Sequence, residues 1–379
     1  MNANLGSPLP LERLAVMDML LKSGADELDI PPSLYADAEE KYEAVGSWLG
    51  ADGSLLQAVQ PVISPQGSIA IGTAVKPLER DEFDIDLLCL LLWPEATAVA
   101  LKRAVGVRLR ESKIYQRMLE EKNRCWRLNY AGQFHMDVLP AIPDTVRGGD
   151  AILVPDKELR ILKPSNPKGY EVWFFDRAAQ AVIVKEGLRA DVQPLPAAPS
   201  DRNKWPLQVV VQILKRHRDI MFGEDERAPI SIIITTLAAH AYQGELSVYE
   251  AVQNVLNRMV LYIEEGVNGE AVISNPTDRA ENFADKWQSH PERRASFYQW
   301  LGRAKQDFAD LNMRNLGELN QPLETIFGER VARSALIKYG EQMQSQRDQG
   351  IPIAAGTGTL ASPSVKAKVA PKHTFYGSR

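Results

Sequence analysis

The sequence is short of cysteine, of long apolar runs and of surplus positive charge, and each shortage closes off a class of function. Two cysteines among 379 residues, Cys89 inside an apolar stretch and Cys125 beside a tryptophan, cannot build a disulfide framework. They suit a reducing compartment, with the cytoplasm as the expected location. The longest uninterrupted apolar run, 87–93, is closed by Asp86 and Pro94 and falls well short of the ~20 residues a membrane helix needs. No membrane partner is expected. Residues 1–30 lack a basic start followed by an apolar stretch and do not read as a secretion signal. With 44 basic against 49 acidic side chains the formal net charge is −5, whereas a protein living on duplex nucleic acid usually carries a basic face. No stable duplex partner is expected, and small-molecule ligands move up. Solenoid-type internal repeats are also missing.

What is present divides into two halves, in keeping with roughly 100–200 residues per domain. Residues 10–22 and 33–49 read as amphipathic helices, the second with Leu34, Ala38, Tyr42, Val45 and Leu49 on one face and Ser33 as its N-cap. Strands are expected over 60–64, 74–76, 83–92, 126–130 and 134–139, the last two around an Ala131-Gly132-Gln133 turn, with helix over 95–122. This pattern predicts an α+β sheet domain with N-terminal helices over residues 1–195. Pro194, Pro196, Pro199 and Pro206 mark a linker over 189–206. Helical patterns then follow over 206–222, 229–242, 247–264, 279–288, 293–311, 322–327 and 329–346, predicting an all-α lobe over 196–348. Residues 349–379, dominated by Gly, Ala, Ser, Thr, Pro and Lys, read as a disordered tail.

The most informative stretch is Gly67-Ser68, then Asp84-Ile85-Asp86 inside an apolar strand, then His135-Met136-Asp137 in a second one. Alternation along a strand puts Asp84 and Asp86 on one face and Ile85, Leu87 and Cys89 on the other. Like charges held side by side raise each other's pKa and destabilise the sheet unless a cation neutralises them. Asp137, in a strand that can pair with the first, supplies a third carboxylate. Oxygen-only ligation suits magnesium, with manganese as a substitute, and two ions about 3.5–4 Å apart would clamp the attacking and leaving oxygens of a phosphoryl transfer. The run that follows Asp86 is too apolar for a solvated edge strand. Gly67 lets backbone amides approach a phosphate, and Ser68 adds a hydroxyl. Along the helix expected over 206–222, Leu207, Val210, Val211, Leu214 and Met221 form a buried stripe with Lys215 on its edge, placed to meet a triphosphate tail. Ser231, at the start of the next helix, adds a hydroxyl to the same anion site. The plainer reading of 215–218 is a solvated basic face. Cys89 reads as a core residue, His135 as a supporting one, and Trp173, Trp205, Trp287 and Trp300 as core anchors.

The order Gly-Ser, Asp-x-Asp, third Asp resembles that of polymerase-β-like nucleotidyltransferases. The longer string from Gln66-Gly67-Ser68 through Gly72-Thr73 to Asp81-Glu82-Phe83-Asp84-Ile85-Asp86-Leu87 is similar to the bacterial CD-NTases, relatives of the animal cyclic GMP-AMP synthase. Further blocks carry the same resemblance: Ser165-Asn166-Pro167-Lys168-Gly169-Tyr170 with Trp173-Phe174, Lys215 with Ser231, and Asn275-Pro276 with the stretch 281–287. The resemblance implies a polymerase-β-like sheet domain with a helical lobe. It implies an enzyme that condenses nucleoside triphosphates, ATP and/or GTP, into a cyclic di- or trinucleotide, releasing pyrophosphate, in CBASS anti-phage defence. Asp84, Asp86 and Asp137 would be its catalytic, metal-binding residues, holding two Mg2+ or Mn2+ ions. Gly67, Ser68, Lys215 and Ser231 would hold the donor phosphates, and a CBASS accessory protein would act on the C-terminal tail. Transfer to RNA ends or to a protein, and a nucleotide-binding regulator without catalysis, are the alternative readings.

Overall fold

In the computed structural model, which describes residues 10–78, 83–158, 160–180 and 204–348, a mixed sheet organises the N-terminal half. Helices α1 (Leu11–Asp26) and α2 (Pro32–Gly50) lead into β1 (Val62–Gln66), the single turn α3 (Gly67–Ala70) and β2 (Phe83–Leu90). After α4 (Ala98–Glu111) and α5 (Lys113–Met118) come β3 (Leu119–Glu121), β4 (Trp126–Tyr130), β5 (Phe134–Pro143), β6 (Ile152–Asp156) and β7 (Ile161–Ser165). The strand order is β1-β2-β5-β4-β3, with β6 joining β5 to β7. β2 runs parallel to β5, a pairing that needs a crossover, and α4 with α5 and the β3–β4 strands supply it. The β4–β5 hairpin closes on Gly132 at φ +75°, with Gln133 N–H donating to Tyr130 O at 2.9 Å, as the turn residues predict.

Packing explains where the elements stop. Leu101, Val105 and Leu109 of α4 recur every fourth residue and bury with Ala38, Val45 and Leu49 of α2 against Ile85, Leu87, Cys89, Met136 and Val138 of the sheet. The helix expected over 95–122 is split because Ser112 ends α4 and caps α5, its hydroxyl accepting from Tyr115 N–H. Its last turn gives way to β3, whose backbone groups pair with β4. Ser33 does not cap α2; the helix opens at Pro32, where a missing N–H costs nothing. Residues 74–76 form no strand.

After α6 (Pro167–Ala178), the second half holds α7 (Pro206–Phe222), α8 (Ser231–Ala241), α9 (Val248–Arg258), α10 (Pro291–Met313), α11 (Asn320–Phe327) and α12 (Glu329–Asp348). It is helical as expected, except for the short hairpins β8–β9 (Glu264–Glu265, Ala271–Val272) and β10–β11 (Ser274–Asn275, Asp278–Asn282). The second hairpin and a 3-10 turn at Asp285–Trp287 replace the helix expected over 279–288. Asn275 Oδ1 accepts from Thr277 N–H at 3.0 Å, an Asx turn that the Asn-Pro dipeptide favours over a helix start. Although α1 and α6 belong to the first half by sequence, Val16, Met17, Leu20 and Leu21 of α1 and Phe174 of α6 bury in one core with Leu207, Val210 and Leu214 of α7. The Asp81-Glu82 pair, most of the linker and the tail over 349–379 lie outside the described residues. Among the described residues, no helix is long and apolar enough to cross a membrane.

A Cβ at Gly106 of α4 would stand 2.2 Å from Trp126 Cζ2 on β4, so helix and sheet touch through a position with no side chain. Gly106→Leu should therefore lower unfolding free energy by about 1–3 kcal/mol or more, whereas Val107→Ala on the exposed side should stay within about 0.5 kcal/mol. Urea titration of both variants checks this contrast.

Candidate active site

The parallel pairing of β2 with β5 places Asp84 opposite His135 and Asp86 opposite Asp137. Burial along β2 alternates as the sequence predicts, with Ile85, Leu87 and Cys89 in the core and both aspartates on the other face. Arg127 of β4 lies opposite Asp137 in the neighbouring register. Its Nε and Nη2 donate to Asp137 Oδ1 and Oδ2 at 2.7 and 2.9 Å, a bidentate fork, and Nη2 lies 3.3 Å from Asp84 Oδ1. Two of the carboxylates thus contact one guanidinium, and the third, Asp86, lies opposite Asp137 in the next strand.

The electrostatics follow from that arrangement. Burial, reinforced by the charges of Asp137 and Asp84, pushes the Asp86 carboxyl up to about 7 against the pull of Arg127 and Lys215. Lost hydration also raises Asp84, with Arg127 opposing. The Asp84 side chain is 61% exposed, however, and keeps enough water that its shift carries little free energy. The Asp137 hydrogen bonds raise the Arg127 pKa, so that cation stays charged. Burial and then Asp137 hold the neighbouring Cys125 thiol up at about 12, leaving it neither a thiolate nucleophile nor a ready metal ligand.

The glycine-serine turn sits on these carboxylates. Gly67 adopts φ +66°, and a Cβ there would lie 2.1 Å from Asp86 Oδ2, so glycine alone leaves room for the carboxylate. Ser68 O accepts from Thr73 N–H at 2.8 Å, closing the turn onto the following segment. Lys215 reaches the same segment from α7: its Nζ donates to Thr73 O at 3.0 Å and Oγ1 at 3.2 Å. Its side chain is buried rather than part of a solvated face, and burial, with Arg218 nearby, pulls the ammonium down to about 7. Ser231 joins through Arg218, which the sequence offered only as part of a basic face: its Nη1 donates to Ser231 Oγ at 3.0 Å and Pro229 O at 2.9 Å. The structure therefore gathers Asp84, Asp86, Asp137 and Gly67 directly, with Lys215 bonded to the turn's next segment and Ser231 linked to α7 by Arg218. Arg127 and Thr73 were missed because their roles arise from strand register and a tertiary contact.

Two distant sequence blocks also meet. Ser165 Oγ donates to Glu281 Oε2 at 3.1 Å, Asn275 Nδ2 donates to the same oxygen at 2.9 Å, and Asn166 Nδ2 reaches Thr277 O at 3.5 Å. Burial raises the Glu281 carboxyl while these hydrogen bonds oppose it.

A carboxylate pair on one strand, a third in register beside it, and a glycine-serine turn pressed onto the second define a nucleotidyltransferase of the polymerase-β-like fold. Residues 61–140 match the family model described as cyclic GMP-AMP synthase DncV-like, nucleotidyltransferase domain. Over 359 residues the chain is 31% identical to the c-di-GMP synthase of Roseivirga ehrenbergii, covering 93% of this chain and 95% of that protein. It is 25% identical to the cyclic dinucleotide synthase CdnG of Bradyrhizobium diazoefficiens, with coverage of 96% and 95%. The structure of that CdnG in complex with GTP superposes with a TM-score of 0.70 at 23% identity, over 86% of this chain and 99% of the other. Vibrio cholerae DncV in complex with nonhydrolyzable GTP gives 0.54 at 16%, over 86% and 89%. The chain belongs to the CD-NTase family of cyclic-oligonucleotide synthases.

Because the folded pKa of Asp86 lies above its unfolded value of 3.8, the native state holds the proton more tightly, and stability falls as pH rises from about 4 through about 7. In chelator-treated protein, Asp86→Asn should gain roughly 1–4 kcal/mol over wild type at pH 8 and almost nothing at pH 4. Denaturant titrations at the two pH values read the difference; an equal gain at both would contradict the charge assignment.

Proposed function

We propose that this CD-NTase joins two GTP molecules into cyclic di-GMP with divalent-metal assistance. The observation that carries the base assignment is the 31% identity, across nearly the whole chain, to a protein named c-di-GMP synthase. The GTP complex of the CdnG neighbour supports it. The donor set fits a divalent cation: all three acids offer oxygen, Asp86 and Asp137 face each other in register, and Asp86 is raised by burial and by the charges of its two carboxylate neighbours. Among the described residues no three acidic, histidine or cysteine side chains already form a metal cage, since Asp137 is turned to Arg127. Asp84 and Asp86 would hold two magnesium or manganese ions, with Asp137 joining once it leaves the guanidinium. Such ions neutralise charge on the α-phosphate and on the attacking and leaving oxygens.

The chain's own groups do the rest. Gly67 and Ser68 present the turn to the donor triphosphate, and Lys215 exchanges its Thr73 contact for phosphate oxygens, which restores its charge. Ser231, oriented by Arg218, adds a hydroxyl. Asp137 takes the proton of a ribose hydroxyl whose oxygen attacks the α-phosphorus in line as pyrophosphate leaves. The linear dinucleotide then turns, and the same chemistry closes the ring with loss of a second pyrophosphate. We place the activity in cytoplasmic CBASS anti-phage signalling, on family membership. An accessory protein engaging residues 349–379 is part of the same proposal. The structure of an Escherichia coli CdnC:HORMA complex shows that a relative of this fold binds a protein partner.

Incubating the purified chain with each nucleoside triphosphate, alone and mixed, with magnesium or manganese, and resolving products by mass spectrometry tests this. Cyclic di-GMP from GTP alone is expected. A product that requires another base overturns the base assignment, and nucleotide attached to RNA or protein overturns the cyclase reading. Asp84→Ala with Asp86→Ala should lower turnover by at least about 10³-fold, and Asp137→Asn should spare GTP binding more than turnover. Lys215→Ala should raise KM for GTP about tenfold while GMP affinity stays put.

For the tail, removal of residues 367–379 should leave nucleotide synthesis by the purified enzyme unchanged and abolish engagement by the accessory protein. Loss of basal synthesis would place that segment in the catalytic body instead.

A further inference from the structure

Helix α7 meets the phosphate turn through a row of hydrogen-bond donors. Gln208, Gln212, Lys215 and Arg216 stand at positions i, i+4, i+7 and i+8, which share one helix face. Each donates to a main-chain carbonyl of the segment 71–76. Gln208 Nε2 reaches Ile71 O at 2.9 Å, Gln212 Nε2 reaches Ala74 O at 2.7 Å, Lys215 Nζ reaches Thr73 O at 3.0 Å, and Arg216 Nη2 reaches Lys76 O. Residues 74–76 of this segment read as a strand in the sequence, yet among the described residues no strand pairs with them; the helix takes carbonyls a neighbouring strand would have bound. Gly72, at φ +65°, brings its backbone so close that a Cβ would stand 2.5 Å from Gln208 Nε2. On the far side, Lys76 N–H donates to Leu28 O at 2.7 Å, and Asp29 accepts from Gln212 Nε2 at 2.9 Å. The segment is thus held from two sides, and its Thr73 N–H bonds Ser68 O.

We propose that Gln208, Gln212 and Arg216 are positioning residues for the donor-phosphate turn. They hold segment 71–76 against the helical lobe, and through the Thr73–Ser68 hydrogen bond they set the placement of Gly67 and Ser68 over Asp86. Lys215 shares the row, but under the proposed function it gives up its carbonyl for phosphate, whereas the other three keep theirs. The inference rests on the reading of Gly67-Ser68 as the donor-phosphate turn. Apolar contact between the lobes would allow sliding by a fraction of an ångström, whereas a row of directional bonds fixes one register. A grip on the donor phosphates is made in the ground state and kept in the transition state, so its loss appears in KM before kcat.

The test compares wild type with Gln212→Leu, Arg216→Met and the conservative Arg216→Lys. It uses steady-state kinetics with GTP, equilibrium binding of GTP and GMP, and thermal unfolding. Expected for Gln212→Leu and Arg216→Met is a rise in KM for GTP of about tenfold with kcat within about twofold, an unchanged GMP affinity, and substantial recovery in Arg216→Lys. A fall in unfolding temperature with KM for GTP unchanged would overturn the proposal, since a merely structural role predicts that result. If the variants do not fold, amide exchange in the wild-type chain decides. Residues 68–76 should slow on adding GTP and stay unchanged with GMP, and an unchanged rate with both would sink the idea. A wild-type chain that makes no nucleotide product would fail the cyclase reading alone. GTP binding by the variants would still decide the clamp.

Discussion

The parallel pairing of β2 with β5 is the constraint from which the site follows. In that register Asp86 faces Asp137 on one side and Gln66 on the other, so the strand end that carries the glycine-serine turn must lie against a half-buried carboxylate. Glycine at 67 is then a steric necessity, and an arginine opposite Asp137 is an electrostatic one. The charge count has a further consequence. One guanidinium, with a lysine whose charge burial weakens, stands against three carboxylates, and a triphosphate is itself strongly anionic. Nucleotide cannot enter such a pocket favourably unless positive charge enters with it, which is the physical basis for expecting cations to arrive alongside the substrate.

Helix α7 carries the second constraint. Every residue from Leu207 to His217 is buried, although that stretch includes two glutamines, a lysine, an arginine and a histidine. Its apolar face belongs to the helical core, and its polar side chains find partners elsewhere, Arg216 Nε alone of this row staying without one. The glutamines, lysine and arginine bond the segment after the turn, while His217 Nδ1 accepts from Trp300 Nε1 at 3.1 Å and its Nε2 pairs with Asp307 at 3.0 Å. The indole donor leaves Nδ1 as an acceptor and so selects the tautomer with hydrogen on Nε2, which donates to the carboxylate. A helix placed this way cannot shift without leaving several buried groups unpaired, so the lobes are joined by directional contacts on one side and close packing on the other.

What the sequence made legible was whatever local periodicity controls. Alternation along β2 identified Asp84 and Asp86 as neighbours on one face, and four-residue spacing placed Lys215 at the margin of an apolar stripe. Both survive because strand and helix repeats are properties of a single segment. Arg127 had no such signal: an arginine between tryptophan and leucine in a strand looks like any solvated strand residue until β4 is set beside β5. Thr73 was hidden for the same reason, because its importance comes from a lysine 142 positions away.

The hairpin at β10–β11 shows how a local signal can also be outvoted in the reading while it prevails in the fold. Ala284 and Trp287, both buried, and Phe283, packed against the same core, mimic a helical stripe over 279–288. The Asn275-Pro276-Thr277 turn just before them restricts the backbone sooner, and Asn282 Oδ1 then accepts from the N–H groups of Ile273 and Ala284 at 2.9 Å each, capturing donors a helix would have used. Extended chain at this point is what delivers Glu281 to Ser165 and Asn275. In the hairpin Ser274 lies opposite Asn282, which brings the Glu281 carboxylate within hydrogen-bond reach of the Asn275 amide. The meeting of the two blocks therefore depends on the strand geometry that the turn imposes.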